Sequence, residues 1–381
     1  MIPGDIGAEI SRVLQAMVAA GELPEQAASL SAAGTWRPAP AETGGGPGTY
    51  ATSLPLAVAG LTGRAAEPVA ELLAAGLAAV PWIGSARMTG GGYLTVTVTA
   101  ARLAGLPARI AGSGPGAAAS GALAGTRLTA PRLADPATAP GWEQAWRTQR
   151  DALAGRLADA AGADVLFFDS QREPTPEPTT QAHAGPVPVT TDDIGGGPAA
   201  RAGRGPVNAA VAQHGADAVR YALARTSAPR AGAFSRLLGL PLDLTNPFVT
   251  VRYSHADAAS VLRWAADLGL APDQQAERHQ RVPSLMPPEL VLVDAMSWLP
   301  ERVAAAARRR RPAELAAYLE NLASAWLDCA DSCPALPFRG RGAPAALAGE
   351  QTAARLELAD AARVVLDAGL TLLGISAPAR M

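Results

Sequence analysis

Between Ala354 and Met381 runs ARLELADAARVVLDAGLTLLGISAPARM, in which Leu358, Ala362, Val365, Gly369 and Leu372 recur at three- and four-residue steps. Glu357, Asp360, Arg363 and Asp367 gather on the other side. That spacing predicts one long amphipathic helix. Gly374 supplies its C-terminal stop, and Pro378 forbids its resumption. A helix with a single apolar stripe must bury it against other helices, and residues 247–330 carry the material. One helix is expected from Pro247, breaking near Gly269 and Pro272, a second over Pro288–Arg311 and a third over Pro312–Ser332. Pro312 suits a first helical position, where a missing N–H costs nothing. The product is a four- or five-helix bundle.

A chain of 381 residues exceeds what one hydrophobic core serves, so two or three domains are expected. All 32 basic residues are arginine, and the formal net charge is −2. The charge balance argues against DNA binding or bulk electrostatic binding of nucleic acid, and leaves only a local patch for RNA. No apolar run is long enough to span a membrane, and no basic-then-apolar leader opens the chain. A cytoplasmic protein without a membrane partner is therefore expected. Cys329 and Cys333 make no disulfide framework. Without His or Cys nearby they read as packed thiols rather than metal ligands, and neither metal nor cofactor is expected.

Toward the N-terminus, residues 4–20 place Ile6, Ile10, Val13, Leu14 and Met17 on one helical side, followed by a Pro/Gly-rich loop through Gly48. A helix over Glu67–Ala79 leads to a strand in which Tyr93, Thr95 and Thr97 alternate with Leu94, Val96 and Val98. Residues 111–140 read as an irregular linker. A helix from Trp142 to Ala161, Gly162, and the run Val165–Phe168 make half of an α/β crossover with a buried strand. Residues 170–204 are crowded with Pro, Thr and Gly and read as an extended linker. Gly195, Gly196 and Gly197 lack a following Lys-Ser/Thr pair, which excludes a Walker-type phosphate loop. His183 lies beside Pro186 and Pro188 and cannot open a helix.

Several of these stretches resemble arginyl-tRNA synthetases in the same order. Tyr50-Ala51-Thr52 and Gly90 to Thr95 resemble the signatures of the N-terminal additional domain; Arg156-Leu157, Ala160-Ala161-Gly162 and Val165 resemble the end of the first catalytic helix. VNAAVAQHGADAVRYALART from Val207, then Asn246, Pro247, Tyr253, His255 and Ala256, and the closing LLGISAPARM resemble the segments that follow. The resemblance implies a mainly α, α+β protein in three parts. Residues 1–110 would be an N-terminal α+β domain, 111–205 a truncated α/β remnant, and 206–381 a DALR-type anticodon-binding bundle.

It also implies tRNA contacts at Tyr93 and Thr95 of the N-terminal domain and at Arg252, Tyr253 and Met381 of the bundle. A base stacked on Tyr93 would contribute about 1–3 kcal/mol; the alternative is a half-buried strand aromatic. Arg308, Arg309, Arg310 and Arg311 form the densest basic run, readable as phosphate contacts or as cations at a helix C-terminus. Asp257 stands where the family has an arginine and Ala330 where it has a tyrosine toward the anticodon loop, so charge repulsion is expected at Asp257.

The ATP-binding signatures of the family do not carry over. Gly141-Trp142-Glu143-Gln144 occupies the His-x-Gly-His position, and Arg201-Ala202-Gly203-Arg204-Gly205 the Lys-Met-Ser-Lys-Ser position. Neither histidine nor lysine is present to stabilise charge developing on phosphates. The expectation is a non-catalytic protein that binds tRNA, arginine tRNA first among the choices, or a protein partner such as a synthetase. A residual arginine–tRNA ligase is the least supported reading.

Overall fold

The computed structural model describes residues 1–40, 42, 44–169, 205–229, 232–270, 284–336 and 350–381. His183, Gly195–Gly197, Arg201, Arg204 and the break expected at Pro272 lie outside them. The N-terminal part begins with α1 (Ile2–Ala19), whose Ile6, Ile10, Leu14 and Met17 are buried as the spacing predicts. Four strands follow, β1 (Trp36–Pro38), β2 (Thr49–Thr52), β3 (Ile83–Thr89) and β4 (Tyr93–Val98), in the antiparallel order β1-β2-β4-β3. Helices α2 (Leu54–Thr62) and α3 (Ala66–Leu77) lie between β2 and β3. The loop expected before Gly48 therefore contains a strand, β1. Three residues ending in proline carry no period-2 signal, and pairing with β2 makes them a strand.

The middle part corrects two expectations. After α4 (Ala100–Ala104) and α5 (Leu106–Ser113), the stretch read as a linker holds β5 (Arg127–Pro131). It pairs in parallel with β6 (Asp164–Phe168) across α6 (Trp142–Ala160), a complete strand–helix–strand unit. Nor is β6 buried: Leu166 is 70% and Phe168 50% exposed. A two-stranded sheet covered by a helix on one face leaves every second apolar side chain in water, so a continuous apolar run was no proof of two covered faces.

The remaining helices are α7 (Pro206–His214), α8 (Ala216–Arg225), α9 (Ala233–Leu238), α10 (Pro247–Asp267), α11 (Pro287–Ser297), α12 (Leu299–Arg309), α13 (Pro312–Ser332) and α14 (Glu350–Leu372). The helix expected over Pro288–Arg311 is two helices. Pro300, at the second position of α12, has no N–H to give to the carbonyl one turn back, and the chain restarts at Trp298. Leu358, Ala362 and Val365 of α14 are buried against α10, α13 and α5. Gly369 lets α14 approach α13, since a Cβ there would sit 2.3 Å from Leu319 Cδ2. Gly374 ends the helix at φ +72°, as the C-cap pattern predicts. Glu357, assigned to the polar side, is only 7% exposed, because α14 is packed around more of its circumference than one stripe.

The N-terminal sheet docks on α11 and α12. The Tyr50 hydroxyl lies 3.0 Å from Ser297 Oγ, and its ring packs 5.2 Å from that of Trp298. Gly48 N donates to Asp294 Oδ1 at 2.9 Å and Gly34 N to Glu301 Oε2 at 3.2 Å. Burial raises the pKa of both carboxylates. Tyr50 and Ala51, matched to a signature of the N-terminal additional domain, are thus buried in this packing.

Candidate nucleic-acid interface

Asn246 caps α10 by accepting from Phe248 N at 3.1 Å, and Pro247 occupies the first helical position. The helix sinks Val251, Ser254, His255, Ala258, Val261 and Ala265 into the bundle. What reaches water is a narrow strip with Tyr253 at 36% and Trp264 at 52% exposure. Beyond Gly374 the chain turns back over this helix. His255 Nδ1 donates to Pro378 O at 2.9 Å, and Arg263 Nη1 to Ala379 O at 2.6 Å. Arg252 Nη2 donates to Ser376 Oγ at 3.2 Å, and Ser376 N to Asp217 Oδ2 at 3.1 Å. Met381, at the end of this tail, is 63% exposed.

Of the three bundle residues expected to meet RNA, Tyr253 and Met381 are presented to solvent. Arg252 is half-buried, with its guanidinium 5.1 Å from the Phe248 ring centre and bonded to the tail. It works as a strap. Trp264 and Arg263 escaped the sequence reading, although Trp264 falls eleven residues after Tyr253, a separation that returns a helix to the same side.

His255 ties this tail to pH. Burial is the larger cause and lowers its pKa from 6.5; the Pro378 carbonyl and Asp367 act in the opposite direction, Arg363 in the same one. A depressed folded value means that the unfolded chain takes up the proton first. The stability His255 contributes is full above about pH 6.5 and is lost as pH falls through the lowered folded value. Thermal melts at about pH 7.5 and pH 5 should show a larger drop for the wild type than for His255→Gln; equal drops would refute this.

Asp257 corrects the expectation of repulsion at the RNA surface. It is 9% exposed and accepts from Trp326 Nε1 at 3.1 Å, so its carboxylate faces the bundle interior. Ala330 lines an apolar cavity of about 500 Å³ between α10 and α13, together with Trp264, Leu268, Trp326, Cys329 and Cys333. Burial pushes the Cys329 thiol up to about 12, which leaves it a packing group rather than a thiolate ligand. Among the described residues no cluster of three His, Cys, Asp or Glu could hold a metal ion.

On the N-terminal sheet Tyr93 opens β4 half-exposed, but Arg37 lies 3.8 Å above its ring and already occupies one face. Thr95 is withdrawn as a contact. It is 1% exposed, with its hydroxyl 3.0 Å from that of Thr89, because β4 is an inner strand between β2 and β3 and its neighbours cover the side chain.

The arginine run is exposed and makes contacts within the protein. Arg308 lies against Gly34, Arg309 pairs with Glu314 at 2.9 Å, Arg310 with Asp151 at 3.0 Å and Arg311 with Glu314 at 3.8 Å. Set at the C-terminus of α12, these cations join α12 to α13 and α6.

At the start of α6, Trp142 stacks on Phe234 with ring centres 4.9 Å apart and planes 13° apart, and Glu143 pairs with Arg147. Trp146 Nε1 donates to Thr226 O at 2.7 Å. The helix N-terminus, a natural place for phosphate, thus carries an indole engaged in packing and a carboxylate.

Among known families, the DALR anticodon binding domain matches residues 251–381. Over 173 residues the chain is 39% identical to an arginine–tRNA ligase of Frankia alni, covering 44% of this chain and 29% of that protein. The aligned stretch therefore spans less than a third of that relative. The solved arginyl-tRNA synthetase of Thermus thermophilus superposes with a TM-score of 0.64 at 15% identity, covering 100% of both chains. The overall fold is thus of the arginyl-tRNA synthetase type, with a DALR-type helical domain at its C-terminal end.

Proposed function

We infer that this chain binds tRNA through its DALR-type bundle, assisted by the N-terminal sheet, and does not form an aminoacyl adenylate. The observation that supports the reading is the exposed Tyr253 on α10, the helix onto which His255 and Arg263 strap a tail that ends in the exposed Met381. Arginine tRNA is the first substrate to test, since the matched relative is an arginine–tRNA ligase. The non-catalytic part is supported by Trp142 and Glu143 at the start of α6, where an anion would meet repulsion, and by the absence of lysine. Cytoplasm is the compartment this reading assigns.

Filter binding of an arginine-tRNA transcript should detect a complex that Tyr253→Ala weakens about 5-fold or more. No complex at low salt would sink the binding half. Arginine-dependent exchange of pyrophosphate into ATP at rates well above background would sink the non-catalytic half.

A second reading, a protein-interaction module, draws support from the ion-paired arginine run and from the exposed Leu166 and Phe168. It expects partner capture insensitive to salt and no RNA in the purified protein.

A further inference from the structure

We propose that Trp264 is a second stacking platform for unpaired RNA, aligned with Tyr253 on the outer edge of α10. The proposal rests on the tRNA-binding reading above and adds a contact that reading does not contain. Eleven residues separate the two rings, which on an α-helix is a rise of about 16.5 Å and a residual rotation of about 20°. The two aromatics therefore stand one above the other on the strip that the bundle leaves open.

The helix residues between them are small or turned inward, with Ala256, Asp257 and Ala259 buried. One turn after Tyr253, Asp257 is drawn inward to Trp326, and one turn before Trp264 the small Ser260 accepts from Arg263 Nη2 at 2.6 Å. The exposure of Trp264 is not the habit of this chain. Trp146 is 8%, Trp298 4% and Trp326 3% exposed, whereas Trp264 is 52% exposed at the mouth of the α10–α13 cavity.

The surroundings fit a polyanion. Arg252 and Arg263 precede the two aromatics on α10, and Arg380 is exposed on the tail bonded to that helix; Asp267, one turn after Trp264, lines the same cavity and opposes them. Both guanidiniums are held on α10, Arg252 over the Phe248 ring and against Ser376, Arg263 against Ser260 and Ala379. An indole face stacks on any base, so the contact adds affinity for an unpaired loop without choosing its sequence.

Binding of a labelled anticodon stem-loop, of an arginine-tRNA transcript and of a fully paired duplex should be compared by fluorescence anisotropy. The proteins are the wild type, Trp264→Ala, Trp264→Phe and, as a control for loss of an exposed apolar side chain elsewhere, Val291→Ala. Melting curves establish that each is folded. Trp264→Ala should weaken stem-loop and tRNA binding about 5- to 150-fold with an unchanged salt slope, and leave duplex binding as it is. Trp264→Phe should retain most of the affinity, and Val291→Ala all of it. If the wild type binds tRNA and Trp264→Ala binds it equally well, Trp264 is no platform and the tRNA reading survives. If the wild type binds neither RNA, the parent reading falls and takes this one with it.

Discussion

Arg355→Met should cost the fold about 3–5 kcal/mol, an effect set by the partner it abandons. The Glu289 side chain is 4% exposed and accepts from Arg355 Nε at 2.8 Å with one oxygen; the other accepts from Met286 N at 2.8 Å and closes the N-terminus of α11. Arg355 also donates to Pro334 O at 3.1 Å, so one guanidinium joins α14, α11 and the segment after α13. Removing it leaves a carboxylate out of water beside a methionine. In the double variant Arg355→Met with Glu289→Leu the stranded charge is gone, and most of the loss should be recovered. Urea denaturation of the two single variants and the double closes this cycle. A single variant within about 1 kcal/mol of wild type would show the pair to be solvated rather than buried.

Trp326→Ala is expected to cost a similar amount, about 3–5 kcal/mol, for a different reason. The indole is 3% exposed between α10 and α13, on the wall of the apolar cavity, and donates to the buried Asp257. Truncation enlarges an existing void and removes a donor from a carboxylate in the interior. Trp326→Phe separates the two contributions: it keeps much of the volume and loses the bond, so its cost should fall to about 1–3 kcal/mol. Equal denaturation midpoints for the two variants would mean that volume is irrelevant here. Because Trp264 lines the same cavity as Trp326, Trp326→Ala should also weaken tRNA binding.

The helices of the C-terminal half were legible wherever apolar period, proline and glycine agreed. The bounds of α13 follow from Pro312 at its start, and the stop of α14 from Gly374. The strand β4 showed itself by alternation. Three features were hidden. Strand β5 is five residues long and gains its identity from β6, which lies some 37 positions away in the register Arg127↔Asp164. The break at Trp298 was masked because the apolar spacing runs through Pro300. The exposure of β6 was masked because an apolar run looks the same with one face covered as with two.

The candidate site divides in the same way. From the chain alone came the bundle, its capping residues, Tyr253 and Met381 as presented groups, and the lack of phosphate-stabilising side chains at residues 141–144. Only the packed molecule decided the direction of Asp257, the burial of Thr95, the ion pairs of the arginine run, the strap that His255 and Arg263 place on the tail, and the exposure of Trp264. The division has a physical cause. Helix periodicity and capping are interactions within a few residues, and the local sequence determines them. Whether a carboxylate or an indole ends in water or in the core depends on what α13 and the tail bring against it, and those neighbours lie tens to more than a hundred positions away in the chain.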